Sequence, residues 1–375
     1  MRFSYWEERT FLRDIDLLVV GGGIVGLSTA IYARRSNPSA RVVLIEMDAF
    51  SAGASSRNAG FACFGSPSEI LDDLTVSDEE TVFSTVERRF LGLANLRELV
   101  GDHNLNYEPV GGYEVFSHAE ADLLNACTEK LDWLNQRLAG LTGGITYRKA
   151  DVESMGIRGI AGAFFNPFEG LIDTGRLLLN LLQIARNEGV MVLNGLKIDA
   201  ISSLSDGAAA IIGGDEIRVK RAVLCTNGLA TRLIPELDVN PARNQVIVTS
   251  PIEGLDLKGG FHMNRGYVYF RNVGDQVLIG GFRNTAPERE ATAELGLTDD
   301  IQALLEETLR EIVIPGKNFT VERRWSGIMG LGKTKKPIID EVRPNIFAAV
   351  RMGGMGVAIG SLVGREVARL AMEGK

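Results

Sequence analysis

Three glycines, Gly21, Gly23 and Gly26, fall in one turn with the spacing G-x-G-x-x-G, and an acid, Glu46, follows about 20 residues later. These residue types at this spacing suit a dinucleotide. Gly21 makes the tight turn, Gly23 lets backbone approach a pyrophosphate, and Gly26 lets the next helix pack closely on the sheet. Gly22, Ile24 and Val25 complete the turn and open that helix, whose N-terminal amides take the phosphates. Glu46 accepts from a ribose 2′-OH, and with Met47 next to it favours an unphosphorylated ribose, hence FAD or NAD rather than NADP. A small polar loop follows, Ser55, Ser56, Arg57, Asn58, Ala59 and Gly60, whose hydroxyls, amides and one cation can donate to phosphate oxygens. About 330 residues later comes a second Gly-rich turn, Met352, Gly353, Gly354, Met355, Gly356 and Val357. A helix start there carries roughly half a positive charge. Two such starts suit a long cofactor whose far end becomes anionic, as a reduced flavin does.

The elements that must hold these residues are legible around them. Residues 15–20 and 41–45 are apolar and β-branched, as in buried parallel strands, and 24–35 has helical spacing. Together they make a complete βαβ unit. Capping boxes at Ser66-Pro67-Ser68-Glu69, Ser77-Asp78-Glu79-Glu80 and Ser117-His118-Ala119-Glu120 open three helices. Asp173 introduces another. Buried strands at 222–225 and 346–350 return to the nucleotide-binding sheet, while 240–290 is strand-rich, with strands at 245–248, 267–270 and 277–281. Tyr267, Tyr269 and Arg271 lie on the middle one and are candidates for a substrate wall. The same pattern also fits a half-exposed strand with a snorkelling arginine. His262 reads as a surface residue and Cys63 as a buried apolar thiol.

Composition narrows the function. The chain has 375 residues, 45% of them hydrophobic, and a net charge of −8, which argues against nucleic acid or an anionic membrane as partner. Three cysteines and three histidines are too scattered for a metal site, so none is expected, and the thiols suit a reducing cytoplasm. No apolar run is long enough to cross a membrane, and residues 1–9 lack the apolar core of a signal peptide.

The order and spacing of these motifs, with Val223 to Gly228, Leu278-Ile279-Gly280-Gly281 and Trp325-Ser326-Gly327, resembles the D-amino-acid oxidase superfamily over nearly the whole chain. Within it the pattern is most similar to the gamma-glutamylputrescine oxidase branch. The resemblance implies an α/β fold: a Rossmann-type FAD-binding domain, here 1–85, 150–235 and 320–375, with an inserted antiparallel-sheet substrate domain, 86–149 and 236–319. It places Ile198, Cys225, Thr226, Asn227 and Gly228 by the adenosine half. The Arg57 to Gly60 stretch and the last Gly-rich turn hold the isoalloxazine. It implies non-covalent FAD, a small amine or amino-acid substrate, hydride transfer from the carbon next to nitrogen to flavin N5, and reoxidation by O2 or another acceptor. An NAD-dependent dehydrogenase and a silent flavin-binding subunit are the competing readings. Three departures stand out. Met329 replaces the arginine that grips a substrate carboxylate, leaving Arg271, Arg265 or Lys333 as substitutes. Met352 replaces a histidine, and no lysine lies near Leu278.

Overall fold

The structure, a computed structural model, describes residues 3–373. Met1, Arg2, Gly374 and Lys375 lie outside the described residues. The first sheet is built on the apolar strand Ile15–Val20, which pairs in parallel with Val42–Glu46 on one side and Asp215–Leu224 on the other. Met191–Asn194 extends the parallel sheet beyond Val42–Glu46, and Ile346–Val350 extends it beyond Asp215–Leu224. Leu17 and Val19 face a core shared with the helices Ile24–Ser36, Glu79–Val100, Thr174–Asn187 and Gly356–Glu373. Ile15, Leu18 and Val20 face the antiparallel strands Ala200–Leu204 and Gly207–Ile212. Both faces are covered along 17–20, 42–45 and Ile346–Val350, which is why these stretches are apolar throughout, whereas Asp215–Leu224 alternates over its first half and turns apolar only at its end.

The second sheet has eight strands in the order Val321–Leu331, Asn240–Thr249, Gln276–Gly281, Val268–Val273, Gly260–Met263, Gly112–Ser117, Ile160–Asn166 and Arg148–Ala150. Its pairings are antiparallel except that of Gly260–Met263 with Gly112–Ser117. One face packs Ile247, Phe261, Phe270 and Ile279 against Leu305 and Leu309 of the helix Asp299–Thr308 and the turn after it. Sheet membership crosses the borders expected from sequence. Ile160–Asn166 and Val321–Leu331 pair into this second sheet, although they fall in the segments 150–235 and 320–375. The helix Glu79–Val100 runs unbroken through residue 85. Long-range strand pairing decides these memberships, and local spacing carries no record of it.

The helix starts show the same diversion by tertiary partners. Pro67 takes the first helical position of Pro67–Asp73, but Ser66 does not cap it; its hydroxyl donates to the buried Glu114 at 2.7 Å. Asp78, not Ser77, caps Glu79–Val100, accepting from the Thr81 amide at 2.8 Å. The Ser117 box forms as expected, and Asp173 caps Thr174–Asn187 through the Arg176 amide at 2.9 Å.

Candidate active site

Between the two sheets lies a cavity of about 1150 Å³. Small-ligand pockets run to ~300–1,000 Å³, so it has room for a long cofactor and a small substrate. Most of the residues singled out from the sequence line it. They are Gly21 to Val25, Glu46, Met47, Ser55, Arg57 to Ala59, Ile198, Cys225 to Gly228, Tyr267, Tyr269 and Met352 to Val357. Gly26, Ser56, Gly60 and Arg271 do not.

The first turn is built as its glycines require. Gly21 has φ +105°, a left-handed value that suits glycine. A Cβ on Gly26 would run into the Gly21 carbonyl oxygen, so Gly26 shapes the turn from behind. Glu46 is buried, and its carboxylate accepts from the amides of Gly22 at 2.7 Å and Asp48 at 3.0 Å. Gly23 offers no side chain to cap the helix. Ser55 Oγ does so from the next loop, accepting from the Ile24 amide at 3.0 Å.

That loop is tied to the second sheet. The Arg57 guanidinium donates to the carbonyls of Ala52 at 2.7 Å and Ser326 at 3.0 Å, and the Trp325 indole N–H donates to the Arg57 carbonyl at 3.0 Å. Arg57 therefore braces the loop against the antiparallel sheet. Ser56 turns to a shallow outer groove beside Trp325. Asn227, at φ +44°, accepts with Oδ1 from the amides of Arg351 and Met352, both at 3.1 Å. One asparagine thus joins the adenosine-side turn to the last Gly-rich turn.

The second sheet supplies the opposite wall. Tyr269 and Asn244 line it, with the Asn244 amide donating to the Tyr269 hydroxyl at 3.0 Å. Burial pushes the Tyr269 phenol well above its ordinary range, against the pull of the Arg283 charge. A Cβ on Gly280 would lie 2.6 Å from that hydroxyl, so glycine there makes room for the ring. Tyr267 lies in the turn before Val268–Val273, beneath the Arg283 guanidinium at 5.0 Å. His262 is a correction to the sequence reading: it lines the cavity and packs on Phe61 with ring centroids 4.9 Å apart. Its burial pushes the imidazole down to about 4, so it is neutral at pH 7. Cys63 is buried on the cavity wall, and burial raises its thiol well above the ordinary value.

Arg271 is the other correction. It is 5% exposed and lies outside the cavity. Its Nη1 donates to the carbonyls of Ile172 at 2.9 Å, Gly60 at 3.0 Å and Ala59 at 3.3 Å. Its Nε donates to the Asn272 carbonyl at 3.0 Å and its Nη2 lies 3.9 Å from the Glu108 carboxylate, so a buried cation has partners on each nitrogen. Gly60 is the close-approach point of this clamp, since a Cβ there would lie 2.6 Å from Arg271 Nη1.

The residues present fit a flavin dinucleotide. The turn carries the needed φ, Glu46 is preset by two amides, and the buried Thr226 hydroxyl on the cavity wall has no partner among the described residues. The family model for the DAO FAD-dependent oxidoreductases matches residues 16–370.

The chain belongs to the DAO family of FAD-dependent oxidoreductases.

It is 24% identical to gamma-glutamylputrescine oxidoreductase of Escherichia coli over 371 residues, covering 95% of this chain and 83% of that one. It is 25% identical over 330 residues to the bifunctional protein ThiO/ThiG of Synechocystis, covering 83% of this chain but spanning only 44% of that protein's length. The fold matches glycine oxidase from Bacillus cereus with a TM-score of 0.76 at 18% identity, covering 96% of each chain. It matches L-proline dehydrogenase from P. horikoshii with 0.75 at 17%, covering 96% and 94%. As a DAO-family enzyme the protein uses FAD, which removes the NAD-dependent reading. No helix among the described residues is long and apolar enough to cross a membrane.

In this DAO-family chain the cavity also has a charged flank that the sequence does not announce. Glu69 accepts from Arg89 at 3.0 Å and from Lys335 at 3.2 Å, and Lys335 also meets Asp73 at 2.6 Å. Burial works to raise the Glu69 carboxyl, but the two cations outweigh it and hold it at about 2. Arg283 and Asn244 were also hidden. A weak signal exists for Arg283, a cation just past the Gly280-Gly281 strand end.

Proposed function

We propose that the protein oxidises a small amine or amino acid at the end of the cavity where the second sheet meets the last Gly-rich turn. One observation carries this reading. The Met329 sulfur lies 3.8 Å from where a side chain on Gly354 would begin, so the substrate wall and the flavin-ring turn share one space. The names of its relatives support it, since gamma-glutamylputrescine oxidoreductase, glycine oxidase and L-proline dehydrogenase are named for amines or amino acids.

FAD, when bound, supplies the two-electron chemistry, taking a hydride from the carbon next to nitrogen so that the amine becomes an imine that water hydrolyses. The chain's own residues orient and desolvate. Tyr267, Tyr269, Val246 and Met329 wall the substrate end and limit water, which favours the neutral amine needed for hydride loss. His262 is uncharged and adds no competing cation. The start of the helix Gly356–Glu373 carries a partial positive charge that would stabilise a flavin ring becoming anionic there. The cofactor-binding residues named above, the non-covalent mode of binding and the segment borders, redrawn to follow sheet membership, are parts of the same proposal. The electron acceptor is oxygen, a quinone or another flavoprotein. Where sarcosine-type relatives place a lysine, Leu278 is buried with Ala59 and Val246.

The test is an absorbance spectrum before and after acid precipitation, followed by anaerobic mixing with amines and amino acids. FAD should leave with the acid supernatant, and a substrate should bleach the intact protein. Flavin that stays with the precipitate would overturn the non-covalent assignment. Flavin that no amine or amino acid bleaches would overturn the oxidation.

A further inference from the structure

We propose that Arg283 is the anion anchor of this active site, and that the substrate therefore carries a carboxylate beside its amine. The inference rests on the amine-oxidation reading of the same cavity.

Met329 stands on the cavity wall where the family resemblance implies an arginine. None of the three substitutes expected from sequence is free to replace it. Arg271 is engaged by three backbone carbonyls outside the cavity. Arg265 lines the cavity too, but it is exposed to solvent and its Nε faces the Asp72 carboxylate at 3.6 Å. Lys333 is exposed and does not line the cavity.

The other cations on the wall are also committed or peripheral. Arg57 holds two carbonyls, Arg88 pairs with Glu366, Arg89 and Lys335 share Glu69, and Lys197 pairs with Asp199. Arg232 and Lys336 are exposed. Arg283 differs from all of these. It is half-buried, it lines the cavity, and among the described residues no carboxylate or carbonyl accepts from its guanidinium. Its guanidinium lies over the Tyr267 ring, 5.0 Å from the centroid. Stacking on an aromatic face orients a guanidinium and leaves its in-plane donors open to a carboxylate.

The backbone brings it to the substrate end. Gly281 pairs with Gln245 and Val268, the neighbours of Asn244 and Tyr267. The Phe282 amide donates to the Tyr267 carbonyl at 3.0 Å, and Phe282 takes φ +61° to turn the chain. Arg283 thus stands on the same wall as Tyr267, Tyr269 and Asn244.

The FAD-loaded protein is titrated with propionate and with its neutral isostere propionamide, following the visible flavin spectrum and binding heat. Wild type should bind propionate at least ~10-fold more tightly than propionamide. Arg283→Met should lose at least ~10-fold in propionate affinity, Arg283→Lys should recover part of it, and Lys333→Met should change nothing. In turnover, Arg283→Met should raise KM for amino acids at least ~10-fold and leave KM for the decarboxylated amines unchanged. Propionate binding that ignores Arg283→Met, or is absent from wild type, overturns the proposal. Equal bleaching by decarboxylated amines, with Arg283→Met silent, overturns it while oxidation stands. If nothing bleaches the flavin but propionate binding still depends on Arg283, the oxidation reading fails and the anion site stands.

Discussion

Arg271 lies on the strand Val268–Val273 and Arg283 in the turn just past the neighbouring strand Gln276–Gly281, yet their surroundings differ. Arg271 holds Ala59, Gly60 and Ile172 together by their carbonyls. Arg271→Met should therefore cost about 2–4 kcal/mol of stability, read as a lower urea midpoint, because buried acceptors lose their donor. A shifted KM at unchanged stability would show instead that Arg271 meets substrate. Two buried acids behind the cavity wall make a pH prediction. Burial pushes Glu169 up to about 8 and Glu114 up to about 7, although the amides of Phe64 and Gly65 donate to Glu169 and the hydroxyls of Ser66 and Ser68 to Glu114. Both folded values exceed the ordinary carboxyl value of 4.5, so the folded protein keeps protons that the unfolded chain has released. The stability contributed is complete below about pH 4.5 and is lost as pH rises through about 7 and 8. Urea midpoints should fall across that window, and Glu169→Gln should flatten the slope. A midpoint that rises with pH through the window would contradict the assignment.

In the proposed site the helix Gly356–Glu373 is the element that would carry the flavin end. It begins at the last Gly-rich turn and lies between two other helices. A Cβ on Gly92 of Glu79–Val100 would run into the Ala358 carbonyl oxygen, and one on Gly364 would lie 2.6 Å from the Ser28 Cβ of Ile24–Ser36. Both glycines permit close crossings, and backbone in the way cannot yield as a flexible side chain does. Gly92→Ala should cost about 1–3 kcal/mol by overpacking. Because the displaced helix carries Gly356 and Val357, the variant should also retain less FAD per protein after gel filtration. Full flavin content in a destabilised Gly92→Ala would separate the crossing from the site.

At the scale of the whole molecule the cavity has one wall from each sheet, joined by Arg57, Trp325 and the Arg271 clamp. A ligand filling it holds both sheets. Saturation at 100 times Kd adds about 2.7 kcal/mol to the folded state. Added FAD should therefore raise the thermal midpoint of the apoprotein, and tryptophan fluorescence should shift together with far-UV circular dichroism. Fluorescence from Trp325 that shifts alone would mean that only the Arg57 loop responds.

The βαβ unit, its glycines, Glu46 and the two Gly-rich helix starts were legible in the sequence because residue type and order along a continuous stretch carry their pattern, even where the partners, such as Gly22 with Glu46 and Ile24 with Ser55, meet only in the fold. The helical stripes were equally local. Only the tertiary structure decided the rest. Ser66 left its helix for Glu114, His262 moved from the expected surface to the cavity, and Ile160–Asn166 joined the second sheet. The two arginines show the reason most directly. Whether an arginine is satisfied depends on which carbonyls and carboxylates the fold brings to it from distant segments. For Arg271 these are the carbonyls of Ala59, Gly60 and Ile172 with the Glu108 carboxylate further off; for Arg283 they are absent among the described residues, and its side chain lines the cavity.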